Sequence, residues 1–165
     1  APIDAIGFQA HMGGGLTPPY RLEAILDRFA ELGLPIMITE YDVDVPDPVV
    51  QERYTRDFMT LVFSHPSVSG FTTWGFWQPN MWQPNSAMYD AQWNLLPVGR
   101  AFIGQVHDAW KTHERGTTDG RGVLAVRGFK GTYRVVVRTP AGVVEREFEL
   151  GDGGGTIDLQ VPTAD

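Results

Sequence analysis

Three short apolar runs, each followed by a stretch with helical spacing, constrain this chain more than any other feature. Ile3 to Gln9 reads as a short strand, and Pro35-Ile36-Met37-Ile38-Thr39 as a strand covered on both faces. Gly70 to Phe76 is the third run. After the first run, Leu22, Ile25, Leu26 and Phe29 fall at i, i+3, i+4 and i+7, which predicts one apolar helical face. Thr17 offers that helix a cap ahead of Pro18 and Pro19, and Gly33 and Pro35 end it. Asp47-Pro48 opens a second helix with Tyr54, Phe58, Leu61 and Val62 on its stripe, closed by Ser64-His65-Pro66. Pro97 opens a third, whose Val98, Phe102, Val106 and Trp110 point one way. A β-α-β-α-β-α order predicts parallel strands joined by right-handed crossovers. A doubly wound sheet and part of a (β/α) barrel both fit.

The remaining residues narrow the chemistry. Thirteen Lys and Arg against twenty Asp and Glu give a net charge of -7, which argues against duplex nucleic acid and anionic membrane surfaces as partners. No apolar run approaches the roughly 20 residues that span a bilayer. With no cysteine in the chain, disulfides and thiolate metal sites are excluded. His11-Met12-Gly13-Gly14-Gly15 lacks both the G-x-G-x-x-G spacing and a P-loop lysine, so nucleotide binding is not expected. The chain opens on Ala1 with strand-like sequence close behind it, and reads as cut from something longer.

Composition shifts near residue 116. Residues 1–115 hold all five Trp, and residues 116–165 hold no Trp or His. Gly116-Thr117-Thr118-Asp119-Gly120 is a turn-forming stretch between the two expected domains. In the second, Tyr133, Val135 and Val137 alternate with Arg134, Val136 and Arg138, and Thr139-Pro140-Ala141-Gly142 can reverse the chain. Val143 to Leu150 is expected to return antiparallel, and Thr156 to Val161 to add a further strand. The expectation is a small antiparallel sheet or sandwich of about four strands.

In parallel α/β folds, sites lie beyond the carboxyl ends of the strands. Here the three ends carry Gln9 and His11, then Glu40 and Asp42, then Trp74. Period-two alternation would put Ile36, Ile38, Glu40 and Asp42 on one face, and pair Gln9 with His11. An imidazole at His11 can donate one N–H to Glu40 and the other to Asp42, holding Glu40 ionised as a nucleophile requires. A zinc site on the same three residues is the competing reading, but neither an H-E-x-x-H spacing nor a second strand-end His supports it.

The loop from Trp77 to Leu96 continues an aromatic cluster that begins at Trp74 and Phe76. It carries Trp77, Trp82, Tyr89 and Trp93, with Gln78, Asn80, Gln83 and Asn85 among them. Flat rings and carboxamides together suit the C–H faces and hydroxyls of a saccharide. Trp74 and Trp82 are the expected ligand contacts, whereas Trp77 and Trp93 fit packing equally well. Glycoside hydrolysis ordinarily takes two carboxyl groups about 5–5.5 Å apart when configuration is retained. Glu40 and Asp42 would approach the sugar from one side, so they are not that pair, and Glu23, Glu31, Glu52 and Glu114 lie on or at the ends of helices.

Ile6-Gly7-Phe8-Gln9-Ala10-His11, Ile38-Thr39-Glu40-Tyr41-Asp42-Val43 and Ser64-His65-Pro66 with Gly70-Phe71-Thr72-Thr73-Trp74-Gly75 together resemble family 10 glycoside hydrolases, mostly endo-1,4-β-xylanases. The resemblance covers residues 1 to about 111. It implies the last three βα units of a (β/α)8 TIM barrel, strands six to eight, followed by a small antiparallel β-sandwich-like domain. It implies Glu40 as nucleophile, His11 bonded to it, Asp42 supporting His11, and Gln9, Trp74 and Trp82 lining the sugar subsite. The family's acid/base glutamate belongs to strand four, outside this sequence, so the isolated chain is expected to be inactive. The sequence departs from the family at Gln78, where many members carry Asp, and at Asn94-Leu95-Leu96-Pro97, where Asn-Pro-Lys-Pro is common. The implied partners are β-1,4-linked xylo-oligosaccharide or xylan, with no cofactor and no metal, in a secreted or extracellular setting. Open strand edges would pair with the missing barrel half or a second copy. The alternative is a catalytically silent fragment or carbohydrate-binding module. The tail resembles small β-domains attached to some bacterial members, and transthyretin-like domains, and reads as a structural appendage.

Overall fold

The computed structural model describes residues 2–162, which form two compact units meeting between Ala109 and Trp110. In the first, strands β1 (Ile6–Phe8) and β2 (His11–Gly13) both pair in parallel with β3 (Ile36–Asp44), and β4 (Val68–Thr73) pairs in parallel with its other edge. Helices α1 (Pro19–Ala30), α2 (Pro48–Ser64) and α3 (Pro97–Ile103) follow the strands. The βα repeats are those expected, and among the described residues no further strand pairs with β1, β2 or β4.

Local chemistry explains the elements. Asp47 caps α2 by accepting the N–H groups of Val49 (2.8 Å) and Val50 (3.2 Å), with Pro48 in the first turn. α1 begins at Pro19 with Pro18 at the cap position, and Thr17 makes no capping bond. Gly33 takes φ +69° just beyond α1, a conformation that glycine adopts without steric cost. α3 runs on as a π-turn over Gly104–Ala109, and Gln105 donates to the Thr60 hydroxyl of α2 at 2.9 Å.

The core lies between the sheet and the helices. Ile36, Ile38, Tyr41 and Val43 of β3 meet Leu22 and Leu26 of α1 and Phe58 and Val62 of α2, all buried. Tyr41 lies 4.6 Å from Phe58 and 5.2 Å from Phe71 between ring centroids, and its hydroxyl donates to Thr55 at 3.0 Å. Burial pushes the Tyr54 hydroxyl up to about 12 and raises that of Tyr41 further.

Simple alternation fails in β3. Phe8 pairs with Ile38 and His11 with Asp42, so three steps on one strand match four on the other. Against β4, Ile38 pairs with Phe71 and Tyr41 with Thr73, again one extra residue in β3. This bulge falls at Thr39 and Glu40. It leaves Ile36, Ile38, Tyr41 and Val43 toward the helices and turns Glu40 and Asp42 to the opposite face. The expectation that Glu40 shares a face with Ile36 and Ile38 is therefore wrong.

Among its described residues the second unit contains one antiparallel hairpin, β5 (Gly131–Thr139) with β6 (Gly142–Leu150), turning at the expected Pro140-Ala141. Arg134 reaches diagonally to Glu145 with Nε–Oε1 2.5 Å and Nη2–Oε2 2.7 Å. That hydrogen bonding raises the Arg134 guanidinium and holds the Glu145 carboxyl below its usual range. Thr156 to Val161 forms no ladder, so two strands stand where about four were expected. The Phe148 ring lies so close to Gly155 that a side chain there would collide with it, and Ile157 and Leu159 are half-buried without strand pairing. No described residue beyond Gln105 is buried.

Candidate functional site

Two backbone irregularities build the site. Ala10 adopts φ +62°, which breaks strand pairing between β1 and β2 and lets His11 resume it opposite Asp42. The bulge in β3 supplies the second, at Glu40. Positive φ in a residue other than glycine is uncommon and clusters where function over-determines the backbone.

The side chains then converge. His11 Nε2 lies 3.1 Å from Glu40 Oε2, and Nδ1 lies 3.0 Å from Asp42 Oδ1. Glu40 is about a quarter exposed while Asp42 is buried. The second Asp42 oxygen, Oδ2, accepts the Trp82 indole N–H at 2.6 Å, a charge-assisted bond. Oδ1 approaches Nδ1 off the hydrogen-bonding direction, so the expected second bond from His11 to Asp42 is not made and the two atoms are in proximity only. The imidazole also sits edge-on between two indoles, Trp82 at 5.0 Å and Trp74 at 5.9 Å between centroids. Both indoles stay half-exposed beside Glu40's partner.

The sequence-predicted residues therefore meet, with Gln9 at the margin. Phe8 packs against the core, so Gln9 faces the other way, exposed, with no side-chain hydrogen bond among the described residues. Trp74 follows β4 directly, its N–H donating to Tyr41 O at 3.0 Å. Among the described residues, no group of three or more His, Asp or Glu is arranged to hold a metal ion.

Sequence reasoning missed the Trp82–Asp42 bond and also Gln51. This buried α2 amide donates to Val43 O and Asn85 O, both at 2.8 Å, tying the end of β3 to the aromatic loop. Its signal was a polar residue at i relative to Tyr54, Thr55 and Phe58 on the buried stripe.

Residues 1–102 match the model of Glycosyl hydrolase family 10. The chain belongs to this family. Within glycosyl hydrolase family 10 it is 31% identical over 161 residues to endo-1,4-beta-xylanase 3 of Arabidopsis thaliana, covering 98% of this chain and 21% of that protein. It is also 37% identical over 157 residues to a protein named anti-sigma-I factor RsgI6 of Acetivibrio thermocellus, covering 94% of this chain and 20% of that one. The chain thus spans about a fifth of the length of these relatives. Among solved structures, xylanase 10B of Thermotoga petrophila in complex with xylobiose aligns with TM-score 0.55 and 25% identity over 66% of this chain and 37% of that one. Solved family 10 structures, which are TIM barrels, cover part of this chain, and the matches to two of the curated relatives run through the hairpin unit as well.

Proposed function

We propose that this chain carries the nucleophile of a retaining endo-1,4-β-xylanase. The observation behind this reading is the Glu40–His11–Asp42 arrangement at the carboxyl end of β3, flanked by the half-exposed rings of Trp74 and Trp82. Glu40 attacks the anomeric carbon and forms a glycosyl ester as the glycosidic C–O bond breaks. An acid/base carboxyl from a segment outside this sequence gives its proton to the leaving oxygen. It then takes a proton from the water that cleaves the ester, releasing Glu40. His11 fixes the Glu40 carboxylate in orientation, and Asp42 with Trp82 fixes His11. Gln9, Trp74 and Trp82 meet the sugar bound next to the scissile bond. Residues 1–115 form the carboxy-terminal part of the barrel and residues 116–165 an appended β-domain. A polymeric substrate that cannot enter a cell places the work outside it, and among the described residues no helix is long and apolar enough to cross a membrane.

A second reading is that the isolated chain binds xylo-oligosaccharide without turnover. Among the described residues, the only side chain within hydrogen-bond distance of Glu40 is His11, and one relative is named for anti-sigma activity rather than hydrolysis. A xylobioside with fluorine at C2 and dinitrophenolate as leaving group separates the two, because dinitrophenolate departs without a proton. An ester on Glu40, seen by peptide mass spectrometry and absent in Glu40→Gln, supports the nucleophile. Binding without an ester supports the second reading, and neither binding nor ester removes both.

A further inference from the structure

Among the described residues Trp93 is the one aromatic with a positive φ, and it is one of the most exposed. Its φ is +65°, unfavourable for a bulky side chain, yet 59% of its surface is open. The turn that imposes this conformation is over-determined. The Asp90 carboxylate accepts the backbone N–H groups of Gln92 and Asn94 and the Asn94 side-chain amide, each at 2.8 Å. Trp93 N–H donates to Asp90 O at 3.1 Å, and Asp90 N–H to Asn94 O at 3.0 Å.

The strain places the Trp93 indole on Trp77, with centroids 5.8 Å apart and planes at 16°. Phe76, also half-exposed, stands 6.3 Å from the same ring. Together with Trp74, Asn80 and Met81 they line a cavity of about 280 Å³. That is near the lower limit of small-molecule sites, which run from roughly 300 Å³ upward. Its one side-chain carboxamide is unspent: Asn80 makes no side-chain hydrogen bond among the described residues. Packing alone does not need an exposed, strained indole. A stacking ligand with hydroxyl groups does.

We propose that this cavity is an accessory pyranose site, in which Trp93 and Phe76 stack against a sugar ring and Asn80 hydrogen-bonds its hydroxyls. The occupant is a further ring of the β-1,4-linked xylose chain that reaches Glu40. Trp74 is shared: it borders the cavity and lies edge-on to His11, so the two sites are continuous. The proposal rests on the saccharide reading of the Glu40 site and extends it along the chain.

The test titrates xylose oligomers of two to six rings into the 165-residue chain, following tryptophan emission. Trp93→Gly removes the ring and suits the positive φ, so the fold is retained, with the thermal midpoint as control. Affinity should rise with oligomer length in the parent chain. In Trp93→Gly it should fall by roughly 2- to 12-fold for the longest oligomers and remain unchanged for the shortest. Trp93→Phe should restore most of the loss, and Glu40→Gln should leave the length dependence intact. Equal affinity in Trp93→Gly and parent, with weakening in Trp74→Ala, overturns the accessory site and leaves the Glu40 reading standing. An absence of any response to the oligomers overturns both.

Discussion

His11 and Asp42 stand opposite each other across a parallel ladder, with Nδ1 of the imidazole 3.0 Å from Oδ1 of the carboxylate. Asp42 is buried, and among the described residues the Trp82 N–H is the one side-chain donor to its carboxylate. Asp42→Ala strips the Trp82 N–H of its acceptor and removes the carboxylate beside His11. It should destabilise the chain by about 3 kcal/mol, visible as a lower denaturant midpoint, whereas Trp82→Phe should cost about half as much because the carboxylate stays beside His11.

Gln51 bridges the carbonyls of Val43 and Asn85. Gln51→Leu keeps the buried volume but leaves Val43 O and Asn85 O without this donor. A loss of about 1–3 kcal/mol is expected. Hydrogen exchange should quicken in residues 83–87 before it quickens in α1, since the lost tie runs to the aromatic loop.

Phe58 lies among the rings of Tyr41, Tyr54 and Phe71 and is 1% exposed. Phe58→Ala should cost about 3–5 kcal/mol through lost burial and the cavity left behind. Phe58→Leu should cost clearly less, a contrast that thermal or urea unfolding of the two variants measures.

Acid should loosen the Trp93 turn in a particular window. The Asn94 side-chain amide, followed by the backbone N–H of Asn94, holds the Asp90 carboxyl below its usual range. A lowered carboxyl contributes fully above its unfolded value of about 3.9, and that contribution is lost as pH falls through the lowered folded value. Tryptophan emission should therefore hold steady from neutral pH to about 5 and change only below about 4. Asp90→Asn should lack this step.

Much of the framework was legible because it depends on local chemistry. Asp47 and Pro48 started a helix wherever the rest of the chain lay, and Leu22 and Leu26 marked a face by spacing alone. The meeting of His11, Glu40 and Asp42 was legible because strand ends in parallel folds share one rim. The details that aim Glu40 were not. A bulge is a mismatch between neighbouring strands, and Thr39-Glu40 carries no residue type that announces one. The indole bond to Asp42 spans forty residues of sequence, and the positive φ of Trp93 falls on a residue that rarely adopts it. In the tail, Ile157, Leu159 and Val161 alternate as a strand would, but alternation records a preference for burial and does not guarantee a backbone partner.

The surplus residue in β3 separates architecture from chemistry. Were Thr39 or Glu40 deleted, the counts from Phe8 to His11 and from Ile38 to Asp42 would become equal, and Tyr41 and Val43 would still turn toward the helices by ordinary pleating. The layered framework has no need of that position. A shortened strand would still assemble with its neighbours, yet only one side chain would occupy the place where hydroxyl and carboxylate now stand side by side.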